Sequence, residues 1–137
     1  MSDFKKAVIV VPASVKVVKS IRCVLRNLLS SNGVKDENMV YDLELAISEA
    51  VVNVIEHTYK FDASKLISCT LEVKDDIFEI RIRDFGPKVD LGKLKPRSLS
   101  QPREGGLGLY LIRNLVDSWE YEKVCKGNCL VLRRKIK

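Results

Sequence analysis

Apolar positions along the chain change period several times, and each change marks an element. Ala7–Val11 is an unbroken apolar stretch of five before Pro12, the signature of a buried strand. Pro12-Ala13-Ser14 offers a helix start with Ser14 as candidate N-cap. From Val15 onward, Val17, Val18, Ile21, Val24, Leu25, Leu28 and Leu29 recur at helical spacing. Asn32-Gly33 closes that helix, because glycine takes the left-handed cap conformation cheaply. Asp36 can cap a second helix that runs to about Tyr59. Leu66–Lys74 and Ile77–Asp84 alternate apolar with polar residues about a turn at Asp75-Asp76, which predicts an antiparallel hairpin with one buried and one wet face. Gly86–Glu104 is polar, basic and punctuated by Pro87, Pro96 and Pro102; a connection this long serves as a functional lid or a mobile segment. Leu107–Val116 reads as a helix with a glycine-rich start, and Trp119–Cys125 with Cys129–Ile136 as a closing hairpin. The order β-α-α-β-β-loop-α-β-β predicts an α/β (α+β) two-layer sandwich. Its sheet should be mixed but mostly antiparallel, with helices on one face, and residues 1–137 should form a single domain.

Three segments carry candidate chemistry. Between Ala46 and Ile55 the only polar residues are Ser48, Glu49 and Asn53, and Glu49 and Asn53 stand four apart on one helix face. With Asp42, Glu56 and Lys60 they form a narrow polar stripe, either solvent-facing or ligand-facing; asparagine is a poor mid-helix residue, which favours a ligand. Asp84 shares parity with Phe78, Ile80 and Ile82, so its carboxylate points to the buried face unless the strand has already ended. There it needs a hydrogen-bond or charge partner, and an arginine or a bound adenine amino group would serve equally. Gly86 leaves room for a ring to approach the backbone. Gly105, Gly106 and Gly108, with Leu107 and Leu109 between and after them, lie at a helix start, where free N–H groups make either a phosphate cradle or a plain turn. The Gly-Lys-Ser/Thr ending of a P-loop is missing, and no strand precedes the glycines at dinucleotide-fold spacing. His57, the only histidine, is either a structural residue near a helix end or a contact for phosphate or a partner. Trp119 and Tyr121 read as core or interface residues.

Composition narrows the classes. The chain has 137 residues, of which 46% are hydrophobic and 31% charged, the profile of a soluble globular protein. No apolar run nears the ~20 residues of a membrane span, and Ala7–Val11 is too short for the core of a signal peptide, so a cytoplasmic location is expected. Cys23, Cys69, Cys125 and Cys129 lack paired CxxC spacing, which argues against zinc; Cys125 and Cys129 could face one another across a hairpin turn, most simply as incidental thiols. The net charge of +6 suits an anionic ligand or an acidic partner, or reflects the basic tail Arg133–Lys137. The basic residues lack the aromatic interleaving of a single-strand platform, which disfavours nucleic acid.

Taken together, the three segments resemble the GHKL ATPase superfamily, which includes histidine kinases, gyrase and a group of heat-shock chaperones. More narrowly they resemble its stand-alone anti-sigma-factor serine/threonine kinases. Ser48–Asn53 is similar to the N-box, Arg83–Pro87 to the first glycine box and Glu104–Leu109 to the second, and the likeness extends from about Val8 to Arg133. The resemblance implies a Bergerat-type ATP-binding fold with ATP and Mg2+ as cofactors. It implies that Asn53 coordinates the metal, Glu49 acts as general base toward a serine or threonine hydroxyl, and Asp84 accepts from the adenine N6 amino group. Gly86 would give the purine access, the Gly105–Leu109 loop would wrap the phosphates, and the basic segment Lys88–Arg103 would form a lid at about 87–104. The implied partners are a sigma factor or other effector and a small antagonist that receives the phosphate, with a homodimer as the assembly. Neither a membrane nor nucleic acid is implied. Lys88 stands where the wider superfamily has a further glycine, which suits the narrower subgroup, and Arg103-Glu104 maps onto no catalytic arginine. The alternative is a non-catalytic ATP-binding module that sequesters its effector.

Overall fold

The computed structural model describes residues 4–90 and 111–137. Five strands form one sheet: β1 (Lys6–Pro12), β2 (Leu66–Lys74), β3 (Ile77–Asp84), β4 (Ser118–Tyr121) and β5 (Asn128–Lys135), in the order β1-β2-β3-β5-β4. Two helices, α1 (Val18–Ser31) and α2 (Glu37–Asn53), lie between β1 and β2, and residues 111–115 are helical before β4.

Every strand pairing is antiparallel, in line with the mostly antiparallel sheet expected but without its parallel part. β1 and β2, joined through the two helices, run in opposite senses. β3 and β4 do run the same way, but β5 inserts between them and removes the one parallel ladder the order allowed.

Local chemistry explains the boundaries. Ser14 caps the first turn by accepting from the Lys16 N–H at 3.4 Å, although that turn, Val15–Val17, is 3-10 rather than α. At the other end Gly33 has φ +79°, with Gly33 N–H donating to Ser30 O and Val34 N–H to Leu29 O, the paired bonds of a Schellman cap. Asp36 Oδ1 accepts from the Asn38 and Met39 N–H groups and starts α2. Asp75 and Asp76 both take positive φ, 52° and 61°, which matches a type I′ hairpin turn to the twist of β2 and β3.

The alternating residues of the hairpin divide the molecule into two layers. Ile67, Cys69, Leu71 and Val73 of β2 and Phe78, Ile80 and Ile82 of β3 are buried with Ile21, Leu25, Leu28 and Leu29 of α1 and Leu43, Ile47 and Val51 of α2. The opposite face of the sheet carries polar side chains, including a network in which Glu79 accepts from Arg81 (3.1 Å) and Arg133 (2.7 Å), and Arg81 pairs also with Glu122.

Two elements end differently from the pattern. α2 widens into a π-helical turn, Val54–Thr58, ended by Lys60 and Phe61 at positive φ, with Phe61 N–H donating to Ile55 O at 2.8 Å. β4 stops at Tyr121 rather than reaching Cys125. Its last ladder bond runs from Glu122 N–H to Cys129 O, after which the chain loops out and Lys88 Nζ donates to Val124 O. Cys125 is therefore exposed beyond the ladder while Cys129 is buried within β5; all four cysteines are free thiols.

Candidate functional site

A cavity of about 80 Å3 opens between the end of α2 and the ends of β3 and β5. Asn53, Val54, His57 and Thr58 come from the helix, with Ala50 one turn earlier. Ile82 and Asp84 come from β3, Leu130 from β5, Tyr121 from β4, and Val89 from the chain leaving β3. The cavity is apolar apart from a few convergent polar groups, as small-molecule sites generally are. The π-turn contributes directly, since its wider helical turn carries Val54, His57 and Thr58 along the wall; π-turns recur at functional sites.

Asp84 is the one buried acid among the described residues, with 1% exposure. It keeps the parity of Ile80 and Ile82 and faces the helices, so the strand has not ended before it. Its Oδ1 accepts from Gly86 N–H at 3.0 Å and from Asn128 Nδ2 at 3.0 Å. Arg83 does not pair with the carboxylate. Its guanidinium donates to the Asp84 and Asn128 carbonyls, at 2.6 and 3.2 Å, and lies over the Phe85 ring at 4.3 Å. Burial pushes the Asp84 carboxyl above the ordinary aspartate range, against the opposing pull of the Asn128 and Gly86 hydrogen bonds and the Arg83 charge. Burial, with the Asp84 charge adding to it, likewise pushes the Tyr121 phenol up to about 12.

Asp84 and Asn53 thus line one cavity. Glu49 stands one helical turn before Asn53, partly buried, and does not line it. Gly86 lines the neighbouring groove, with Thr58, Tyr59, Phe85 and Pro87. The room its missing side chain leaves is taken by protein: a Cβ there would collide with Thr58 Cγ2 and lie 3.3 Å from the Tyr59 ring. The Gly105–Leu109 loop, with Gly105, Gly106, Leu107, Gly108 and Leu109, lies outside the described residues, as does most of the segment 87–104. His57 lines the cavity, and its Nε2 is 3.8 Å from Glu56 Oε2.

Three participants are absent from the pattern reading. Asn128, 6% exposed, opposes Asp84 in the β3–β5 register. Its place in a Lys-Gly-Asn turn hid it, although extending the parity of Leu130 and Leu132 back one step would have found it. Gly127 has φ +73°, and a Cβ there would overlap the Asp84 carbonyl oxygen and come within 2.6 Å of Phe85 Cα. Tyr121 lines the cavity and meets Trp119 edge-on at 6.3 Å, where sequence offered only a core or interface role.

The donor set fits a nucleotide. Apolar walls suit a flat ring, and a buried carboxylate suits a ring that offers an N–H. Asn53 offers a neutral oxygen at the cavity edge, which suits Mg2+, a hard cation that takes few protein ligands and completes its shell with water and phosphate.

The sequence pattern of the histidine kinase-like ATPase domain matches residues 11–134. This chain belongs to that family. Among its relatives, a serine-protein kinase RsbW of Bacillus cereus is 34% identical over 125 residues, covering 85% of this chain and 77% of the relative. The serine-protein kinase RsbW of Bacillus licheniformis is 36% identical over 114 residues, 77% and 71% of the two chains. Among solved structures, the RsbU and RsbW domains of a Mycobacterium tuberculosis protein superpose with a TM-score of 0.71 at 21% identity, over 97% of this chain and 33% of that one. The histidine kinase domain of a blue-light activated kinase from Erythrobacter litoralis gives 0.59 at 14% identity, over 91% and 61%. At these identities the structures speak for the fold, which is that of this ATPase family. No helix among the described residues is long and apolar enough to cross a membrane.

Proposed function

We propose that this chain is an ATP- and Mg2+-dependent serine/threonine protein kinase of the cytoplasm. It holds an effector, such as a sigma factor, and phosphorylates a small antagonist protein, working as a homodimer. The single observation that carries the nucleotide part is Asp84, a buried acid in an apolar cavity that Asn53 also lines. The kinase part is supported by relatives named serine-protein kinase at 34–36% identity over most of the chain.

In this reading Asp84 accepts from the exocyclic amino group of adenine, and Ile82, Val54, Ala50 and Leu130 bury the ring. Asn53 holds Mg2+, which neutralises phosphate charge when bound. Glu49, a turn before Asn53 on the same side of α2, takes the proton from the acceptor hydroxyl as the hydroxyl oxygen bonds to the terminal phosphorus of ATP and the bond from that phosphorus to the bridging oxygen breaks, releasing ADP. The Gly105–Leu109 loop supplies N–H groups to the phosphates. Phosphoryl transfer needs little else from a protein than placement and charge stabilisation, with one carboxylate orienting the nucleophile. The 46% exposed side chain of His57 leaves it free to meet either phosphate or a docked protein.

The test is phosphoryl transfer from Mg-ATP to a small protein co-purified with this chain from its host. Phosphoserine or phosphothreonine should appear on that protein by mass spectrometry. Glu49→Ala should slow transfer by about 10^2- to 10^4-fold while ATP still binds. ATP binding without transfer to any co-purified protein would replace the kinase with a nucleotide-gated sequestration module.

A further inference from the structure

Asn128 does more than fill a strand position. Its carboxamide has one acceptor and two N–H donors, and all three are used. Nδ2 donates to Asp84 Oδ1 at 3.0 Å and to Pro87 O at 2.8 Å, and Oδ1 accepts from Val89 N–H at 2.8 Å. The amide orientation is fixed by this pattern, since a flip would set its oxygen against two acceptors. Val89 lines the cavity wall, so one side chain holds both the acid and the wall beside it. The Asn128 backbone is itself anchored, by the Arg83 guanidinium on its carbonyl and by the close fit of Gly127 on Asp84 and Phe85.

We propose that Asn128 is the positioning residue that sets purine selectivity: it commits Oδ1 of Asp84 to the protein, turns the other carboxylate oxygen toward the ligand, and fixes the Pro87–Val89 wall. Both hydrogen bonds that fix the acid, from Gly86 N–H and Asn128 Nδ2, converge on Oδ1. A carboxylate held by one oxygen presents the other in a single direction, and a site built to meet a ligand N–H rejects analogues that lack it, because the acid is then left unpaired. Without Asn128 the carboxylate can rotate, and discrimination between a purine with an N6 amino group and one without it falls. This inference rests on the reading of the cavity as an adenine site.

The experiment measures Kd for ATP and for purine riboside triphosphate, which lacks the N6 amino group, on wild type, Asn128→Ala, Asn128→Asp and Asn128→Thr. Wild type should prefer ATP by at least about 10-fold. Asn128→Ala should lose most of that preference, whereas Asn128→Thr, whose hydroxyl can still donate to Asp84, should retain part of it. Asn128→Asp places a second carboxylate against Asp84. Its ATP preference should be absent at pH 8 and return as the pH falls and the pair takes up a shared proton. Wild type should instead lose preference as the pH falls, because Asp84 then takes up a proton and no longer accepts as a carboxylate. A purely structural role would weaken both nucleotides alike and give no reversed pH trend. Should Asn128→Ala not fold, the pH profile of the isosteric Asn128→Asp decides. Unchanged preference in folded variants overturns the inference alone, while wild type that binds neither nucleotide overturns the adenine site with it.

Discussion

Asp84 carries a cost that its surroundings only partly relieve. Burial raises its folded pKa above the 3.8 of an unstructured aspartate, so the folded chain binds more protons than the unfolded chain between those two values. Stability from this group is therefore complete below pH 3.8 and is lost as the pH rises through the folded pKa. Above that folded pKa the ligand-free protein holds a charged carboxylate in a place that penalises charge. Asp84→Asn keeps an acceptor for Gly86 and Asn128 without that charge. It should melt higher than wild type at pH 7, with the gap closing as the pH falls toward 3.8, while ATP affinity collapses. Calorimetric melts of both proteins across that range check it; a variant less stable at pH 7 would refute the assignment of strain to the acid. Asp84 was legible because strand parity is a local rule, and parity placed its side chain on the buried face. Asn128 obeys the same parity, two residues before Leu130, but its place in a Lys-Gly-Asn turn disguises it as a loop residue. The contact that requires glycine at position 86 is not local: only the fold brings Thr58 against it.

At the scale of elements, β5 starts where the fit is tightest. Gly127 combines a left-handed backbone with contact against the Asp84 carbonyl, so an alanine there meets two penalties at once. Gly127→Ala should destabilise by about 2–4 kcal/mol, summing a left-handed alanine and the displacement of packed backbone. Urea unfolding measures it, and a loss under about 0.5 kcal/mol would mean the turn adapts freely. The strands with clean alternation, β2 and β3, and the capped start of α2 were readable because their signals lie within a few residues. The π-turn at Val54–Thr58 and the early end of β4 were not. The first closes on Lys60 and Phe61 at positive φ without a glycine to announce it, and the second yields to a loop that Lys88 holds from 36 positions away.

For the whole molecule, the sheet order sets β3 centrally with β5 beside it, so that helix, acid and wall converge at one end of the sandwich. A nucleotide seated there touches α2, β3, β4 and β5 together and should stabilise the fold as a unit. With free Mg-ATP at about 100 times its Kd, mass action adds about 2.7 kcal/mol, which should raise the melting temperature by several degrees. Thermal melts with and without Mg-ATP read this directly, and the absence of any rise would count against nucleotide binding. The two-layer architecture was visible in the order of elements. The wholly antiparallel sheet was not, since it depends on β5 entering between two strands that run alike.

Asp84 and Asn128 lie 44 positions apart in the chain. Closing so long a loop comes late among the events of chain collapse, because its entropy is spent before the contact rewards it. During synthesis, a chain that has emerged only as far as β4 carries the acid with only the Gly86 N–H to hold it. Full competence to grip a purine therefore arrives with β5, and a nascent or clipped chain lacking that strand holds its acid by one hydrogen bond instead of two.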